Sequence, residues 1–239
     1  MTGQAIQPFR FLNATISHHH GDHLADCKNL FIYYPEYLRT VQGDREYTND
    51  VIATNSSDSL SNVLYLMQKS NEGYGAMVTR PDYGGLQITE MSLPLSFVRI
   101  IDGDANARVN NASIITRIDA YGNSILLCGD MQKEAWKTII QDNILCGPLW
   151  RPFLSNIDIL VAPHHGHKSG YSIDLLNIAR PTTVLISVQS KNPNVDSRYS
   201  QPGYISTRQK GHIKVTIEKN NTLLGKGVQN WFFGANALC

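Results

Sequence analysis

The sequence predicts an α/β fold in which stacked sheets, built largely from hairpins, are flanked by helices. Two apolar runs of strand length, IDILVAP (157–163) and TTVLISV (182–188), are typical of strands buried in a sheet. The segment ASIITRIDAYGNSILLCGD (112–130) has two strand-like runs around a turn, which predicts a β-hairpin. A helical spacing of apolar residues in LSNVLYLMQKSNEG (60–73) adds a helix, and the mixture of both element types favours the α/β class.

The N-terminal part of the chain begins with FRFLNATIS (9–17), an apolar stretch that predicts a buried strand ending at a histidine-rich loop. The start of a helix is expected over 23–29, and LFIYY (30–34) is typical of a strand because it is rich in aromatic and branched residues. Residues 35–58 are polar and rich in turn formers, which predicts a loop or an insertion.

The elements of the remaining chain alternate between strands and helices. Strands are expected within 85–102, where Pro94 limits one of them because proline has no N–H to donate to a ladder. Helices are expected over KEAWKTIIQDNI (133–144) and SIDLLNIAR (172–180), and a second hairpin over HIKVTIEKNNTLL (212–224).

Composition limits the classes of protein to which this chain can belong. Its 239 residues, 42% of them hydrophobic, suit one domain over 1–239, and a formal net charge of +1 gives no strong field for nucleic acid or anionic membrane. No apolar run has the length of a membrane helix, and the N-terminus lacks a secretory core. Four cysteines without CxxC pairing fit reduced thiols, so a cytoplasmic protein without membrane contact is expected.

The segment ISHHHGDHLAD holds four histidines and an aspartate within six positions. An expression tag and a solvated cluster are the alternatives to a metal site, but only three histidines are consecutive and the flanks are apolar. Imidazole and carboxylate suit zinc, iron or manganese. If the loop turns alternate side chains inward, His18 and His20 share one metal while Asp22 and His23 reach another. Gly21 suits a tight turn because glycine tolerates positive φ.

Two further predicted strands end at residues that can bind metals. Asp130 follows LLCG, and His164 and His165 follow the apolar run that ends in ILVAP. Alone, Asp130 is more typical of a helix cap or a turn. Together with the histidine loop, the three strand ends favour one metal site, because a strand end can hold ligands in precise geometry.

HxHxDH, then GD, then PHHG, in that order, resembles the metallo-β-lactamase superfamily. More narrowly, NNASIITRIDAYGNSILLCGD (110–130) and DILVAPHHGHKSG (158–170) resemble the metallo-β-lactamase domain of the ComEC DNA-uptake proteins and its stand-alone relatives. The resemblance covers residues 10–220. It implies a four-layer αββα sandwich with a site for two divalent metal ions, zinc or manganese, at the edge of the sheets.

The match of motifs also implies a set of ligands. His18 and His20 would bind the first metal, Asp22 and His23 the second, and Asp130 would bridge the two.

One histidine of the His164–His165 pair would complete the second site. Alternation along a strand lets only one of them point inward, and we assign His164 as the ligand, while the reverse assignment stays open. We expect catalytic roles for Asp22 and for His165, which can protonate the leaving group at its ordinary pKa near 6.5. The alternative for His165 is a packed ring that orients His164 or Asp130.

Three departures from the family pattern stand out. No histidine occurs between His23 and His164, where Asn110 or Asn111 falls near the missing position, so a weaker first metal site is expected. Only 17 residues precede His18, so we expect the first N-terminal hairpin to be missing or shortened, and a protein partner or an oligomer to complete that sheet edge. A late segment, residues 191–204, lacks the histidine that the relatives often carry.

Two close metals suit hydrolysis, because they lower the pKa of a bound water and neutralise developing charge. A phosphodiester is the natural substrate, and single-stranded DNA is the first candidate. Lys168 and Ser169, just after the HHG motif, and Tyr199 are the candidates for contacts with the substrate. A solvated loop lysine is the more common interpretation of Lys168.

Three functions are compatible with these patterns. The first is a metal-dependent phosphodiesterase, a nuclease of the ComEC type that uses a water activated by two metals. The second is a hydrolase of a small molecule, such as a lactam, a thioester or a phosphocholine ester, since a fold does not determine a substrate. The third is a non-catalytic subunit of a defence or DNA-processing complex.

Overall fold

We describe a computed structural model of the chain. It has a mixed α/β architecture, and no helix in its described part has both the length and the apolar character needed to cross a membrane. The described residues are 13–24, 37–71, 83–101, 103–144, 146–188, 194–200 and 203–217.

The strands form two sheets of unequal size. A small parallel sheet pairs β1 (Asn13–Thr15) with β2 (Tyr37–Arg39). The second sheet has six strands in chain order, antiparallel from the first to the third and parallel from the third to the last. Its strands are β3 (Leu86–Met91), β4 (Ile115–Ala120), β5 (Asn123–Leu127), β6 (Ile159–Val161), β7 (Thr183–Ile186) and β8 (Tyr204–Ser206).

Eight α-helices accompany the sheets in the described part of the chain. They are α1 (Arg45–Thr54), α2 (Ser57–Asn71), α3 (Leu95–Ile100), α4 (Ala105–Asn111), α5 (Lys133–Gln141), α6 (Gly147–Leu154), α7 (Ile173–Ala179) and α8 (Thr207–Lys210). Short 3-10 turns cover Gly21–His23, Pro163–Gly166 and Ser197–Ser200.

Each sheet has its own apolar core. Trp136 of α5 and Leu154 of α6 are fully buried in one cluster with Leu160 of β6, so helices cover one face of the large sheet. A second cluster joins the β2 region to α1, α2 and α4 through residues such as Val51 and Val109. Burial of these side chains is the main favourable term that holds the helices on the sheets.

The topology brings the metal-ligand residues to one edge. Strands β5 and β6 are parallel neighbours, so the turns that follow them lie side by side at the carboxyl edge of the sheet. The His164 N–H donates to the Gly129 carbonyl at 3.0 Å, which ties the HHG turn to the GD turn. Carboxyl edges of parallel strands are common ligand sites in α/β folds.

Several predicted elements are confirmed. The hairpin over 112–130 forms as β4 and β5, and the helix over 60–73 forms as α2. The helices expected over 133–144 and 172–180 and the strands expected over 157–163 and 182–188 are present with shorter bounds.

Other element predictions are wrong. Residues 37–58 are not a loop, because they contain β2, α1 and the start of α2. Asp44 caps α1 by accepting from the Tyr47 N–H, and the helix buries Tyr47 and Val51. The C-terminal part of 85–102 is the helix α3 rather than a strand, since Pro94 stands at its N-cap. Strand β8 and helix α6 were not expected.

Some predictions lie outside the described residues. These are the strand over 30–34, residues 25–29 of the expected helix, residues 9–12 of the first strand and residues 218–224 of the last hairpin. Residues 212–217 of that hairpin contain no extended strand. The N-terminal hairpin expected to be missing or shortened, and the partner expected to complete it, concern residues 1–12 and stay predictions.

Candidate metal centre

Three loops meet at the edge of the sheets. The histidine loop follows β1 and is joined to the chain before β4 by the Ile114 N–H, which donates to the Ser17 carbonyl at 2.8 Å. The GD turn follows β5, and the HHG turn follows β6. The three sequence motifs that predicted a site therefore lie together.

Four imidazole nitrogens surround one carboxylate oxygen. The Nε2 atoms of His23 and His165 each lie 3.6 Å from Asp130 Oδ2, and those of His18 and His164 each lie 3.9 Å from it. These separations are too long for good hydrogen bonds. They are close to the spacing of about 3.4 Å between two ligands of a tetrahedral zinc ion with bonds of about 2.1 Å.

The two remaining predicted ligands join the same cluster. His20 Nδ1 lies 3.1 Å from His18 Nε2, and Asp22 Oδ2 lies 3.8 Å from Nε2 of both His23 and His165. Two groups have ligand atoms within 4.8 Å of one another and could each hold a metal ion: His18, His23 and Asp130, and Asp22, His23 and His165. His23 is common to both groups.

The outer nitrogens of the histidines are held by hydroxyl and carbonyl groups. His18 Nδ1 lies 3.0 Å from Ser17 Oγ and 3.3 Å from Ser113 Oγ. His164 Nδ1 lies 2.8 Å from Ser169 Oγ.

His165 Nδ1 is held in the same way, at 3.0 Å from the Ser187 carbonyl. A histidine that donates from one nitrogen presents the lone pair of the other, and most metal-binding histidines are arranged in this way. Nε2 is thus the atom that His18, His164 and His165 could offer to a metal ion.

The donor set fits a cation. Nε2 atoms of His20, His23 and His165 are buried and have no hydrogen-bond partner in the described part of the chain. A buried polar atom without a partner is unfavourable, and a metal ion would satisfy those that face Asp130.

The ionisation of the cluster also suits metal binding. Burial lowers the pKa of His18, His20 and His164, so these imidazoles are neutral at neutral pH. Burial alone would raise the pKa of Asp130, but His23, His18 and His165 around it lower that pKa to about 2.

In the absence of metal, His165 carries a proton in the group that it forms with Asp22 and His23. The Asp22 carboxylate raises the pKa of His165 to about 9 against the effect of burial, and His165 in turn holds the pKa of Asp22 well below its usual range. A metal ion must therefore displace a proton from His165, which makes binding at this group depend on pH.

The argument that only one of His164 and His165 can point inward is wrong. Both residues have left-handed backbones, with φ of 50° and 54°, and so do not alternate as strand residues do. Both Nε2 atoms consequently face Asp130. His165, rather than His164, lies in one group with Asp22 and His23.

Two spacers of the histidine loop have structural roles. His19 is fully buried, with Nδ1 3.1 Å from the Tyr47 hydroxyl and Nε2 3.0 Å from Thr40 Oγ1, and burial lowers its pKa to about 4. Gly21 is not at a positive φ as expected. A Cβ there would lie 2.3 Å from Ser59 Cβ, so glycine permits the loop to approach α2.

The predicted substrate contacts have different outcomes. Tyr199 is 1% exposed and packs against Tyr171, so its prediction as a substrate contact is wrong. Ser169 is engaged with His164 and with His167 Nδ1 at 2.8 Å, which gives it a positioning role. Lys168 is exposed, and its role stays a prediction.

A polar cavity of about 390 Å³ opens on the cluster between α4 and the α1–α2 junction. Its lining includes His20, Asp130 and His164 together with Asn106 and Asn110 of α4. Sequence reasoning missed Ser113, whose hydroxyl also accepts from the Asp130 N–H at 3.0 Å. The strand-like pattern of NNASII gave no sign of that role.

No protein-family model matches this chain, and a search of curated proteins finds no significantly similar sequence. The function is therefore argued from the site itself.

Proposed function

We propose that the chain is a metal-dependent hydrolase that cleaves a phosphodiester, with single-stranded DNA as the first substrate to test. The observation that carries the proposal is the convergence of four histidine Nε2 atoms within 3.9 Å of one Asp130 oxygen. Neutral imidazoles around a carboxylate suit zinc or manganese, which are common ions in hydrolytic sites.

The proposal includes the four-layer αββα sandwich of the metallo-β-lactamase superfamily. It is supported by two sheets, each with helices packed against it through a separate core, and by a cluster at the sheet edge. The order of the motifs along the chain, HxHxDH, GD and PHHG, supports it as well.

Two ligand groups are proposed, and both include Asp130. His18, His20 and His164 would hold one divalent ion, so His164 would take the place of the histidine that is lacking between His23 and His164. The second group is Asp22, His23 and His165. The tandem left-handed histidines support this assignment, since both Nε2 atoms lie within 3.9 Å of Asp130 Oδ2 although the two ring centroids are 6.4 Å apart.

The bound ions would supply Lewis acidity toward a phosphoryl oxygen and toward the attacking water. The chain then has three tasks. Asp130 holds the two groups together, and Ser113 and Ser169 fix the orientation of His18 and His164. Asp22, whose side chain is 66% exposed, can accept the proton of the attacking water.

The experiment is elemental analysis of the purified protein, followed by cleavage of labelled single-stranded DNA and of bis(p-nitrophenyl) phosphate with manganese added. We expect two metal equivalents and manganese-stimulated cleavage. Asp130→Asn should lose metal and cleavage, while Asp174→Asn, the same change at an aspartate of α7 outside the cluster, should lose neither. A wild-type protein that binds no metal after reconstitution would refute the proposal.

A second candidate is a hydrolase of a small uncharged ester or thioester. Three cavities adjoin Asp22 and His165, and among the described residues that line them there is no lysine or arginine. A nucleic-acid site normally contains cations for the phosphates, and its affinity falls steeply with salt. Turnover of small esters without salt-sensitive DNA binding would favour this candidate.

A further inference from the structure

Next to the proposed ligands lies an asparagine that is buried without a hydrogen-bond partner among the described residues. Asn110 is 1% exposed, and neither its Oδ1 nor its Nδ2 has a hydrogen-bond partner in the described part of the chain. A buried carboxamide without partners is strongly unfavourable, so its retention requires a contact that satisfies it in the working protein.

The neighbouring asparagine differs. Asn111 is equally buried, but its Oδ1 accepts from the Gln132 N–H at 2.9 Å and so ties α4 to the chain after the GD turn. Asn111 is satisfied as a structural residue, whereas Asn110 faces the cavity that contains His20, Asp130 and His164.

His20 also has a buried side-chain nitrogen without a hydrogen-bond partner among the described residues. Its Nδ1 lies 3.1 Å from His18 Nε2, on the side of the proposed metal, and its Nε2 is buried without a partner. His20 and Asn110 line the same polar cavity beside Asp130. An unsatisfied acceptor and an unsatisfied potential donor therefore lie beside each other.

Helix α4 is rigidly placed, which gives Asn110 a fixed position. Arg108 forms two hydrogen bonds to Asp50 of α1, at 2.8 and 2.6 Å, and the Asp104 side chain caps the helix at the Ala107 N–H. The carboxamide is thus held against the histidine loop by the packing of α4 on α1.

We propose that Asn110 is a positioning residue that fixes the tautomer of His20. The bond we propose joins two groups that lack partners in the described part of this structure: Asn110 Oδ1 accepts from His20 Nε2–H, which leaves the Nδ1 lone pair directed at the first ligand group. Asn110 would then act on His20 as Ser113 acts on His18, whose Nδ1 lies 3.3 Å from Ser113 Oγ and whose Nε2 is left for the metal. The inference rests on the proposed metal site but not on the identity of the substrate.

The first test uses the metal-free protein, so it does not depend on catalysis. Long-range ¹H–¹⁵N NMR spectra of the imidazoles report which nitrogen of each histidine carries the proton. We expect His20 in the Nε2–H form in the wild type, loss of that single form in Asn110→Leu, and its return in Asn110→Asp, which keeps an acceptor. A wild-type His20 in the Nδ1–H form would overturn the proposal.

The second test is metal affinity, measured by competition with a chromophoric chelator using zinc as the probe. Loss of a group that orients a metal-binding histidine lowers affinity by about 10–100-fold. We expect this loss in Asn110→Leu and recovery in Asn110→Asp. Asn111→Ala is the matched control, and it should lower stability to urea more than it lowers zinc affinity.

The outcomes separate the two proposals. Wild-type zinc affinity in a folded Asn110→Leu protein overturns the role of Asn110, whatever the activity. Zinc binding that depends on Asn110, in a protein that hydrolyses no phosphodiester or ester, supports the role of Asn110 and refutes the hydrolase.

Discussion

Replacement of Gly129 by alanine tests how the GD turn builds the site. Gly129 has φ of +52°, and a Cβ on it would lie 2.8 Å from both Cβ and Oγ of Ser113 and 3.2 Å from Ser17 Cβ. A left-handed backbone costs a residue with a side chain about 1–2 kcal/mol. Insertion of a methyl group into a packed site costs about 1–3 kcal/mol more. The free energy of unfolding should therefore fall by about 2–5 kcal/mol.

Gly122→Ala is the matched control. Gly122 also has a positive φ, +79°, but a Cβ there meets nothing within 4 Å, so only the backbone contribution of about 1–2 kcal/mol is expected. Urea unfolding in the presence of a chelator measures both variants without a contribution from metal. The difference between them isolates the collision with Ser113.

A second readout connects this collision to the site. Ser113 holds both His18 Nδ1 and the Asp130 N–H, so a displaced serine should also weaken zinc binding in Gly129→Ala but not in Gly122→Ala. Equal loss of stability in the two variants, with equal zinc affinity, would show that the reasoning about the GD turn is incorrect.

Three further predictions concern the histidines. The pKa of His19 is about 4 in the folded chain and about 6.5 in the unfolded chain. Between these two pH values the unfolded state binds more protons, so the free energy of unfolding decreases as the pH is lowered. Between about pH 7.5 and pH 5.0, with chelator, His19→Gln should lose about 2 kcal/mol less in urea unfolding than the wild type; equal losses would contradict this. Ser169→Ala removes the hydroxyl 2.8 Å from His164 Nδ1 and should weaken zinc binding about 10–100-fold, whereas Ser200→Ala, distant in sequence and bonded only to Ser197, should not. His164→Ala and His165→Ala should each lower the metal content below two equivalents in elemental analysis, and an unchanged count in either variant would exclude that residue as a ligand.

The sequence predicted the residues of the cluster better than their arrangement. HxHxDH, GD and PHHG each follow a strand, and parallel pairing of β5 with β6 is enough to bring the last two motifs together. The roles within the HHG turn could not be predicted, because alternation applies to strands and two left-handed histidines leave no pattern in the sequence. The burial of His19 and of Tyr199 could not be predicted either, because burial depends on the packing of helices and turns that are distant in the sequence.

Local patterns also misled where a cap decided the structure. Residues 35–58 contain many turn formers, but Asp44 uses the same chemistry to begin α1. That helix then supplies Asn55, just beyond its end, whose Nδ2 donates to the His19 carbonyl at 2.9 Å and holds the histidine loop.

The turn that carries His164 and His165 connects the two proposed ligand groups, so that neither group can move without the other. Its Gly166 carbonyl accepts from the Asp196 N–H at 2.8 Å, so the turn is also attached to the segment that contains Tyr199. Any rotation of this turn moves a ligand of both groups at once, and both groups share Asp130. We therefore expect the two ions to load as a single cooperative event, with half-loaded protein scarce at every metal concentration.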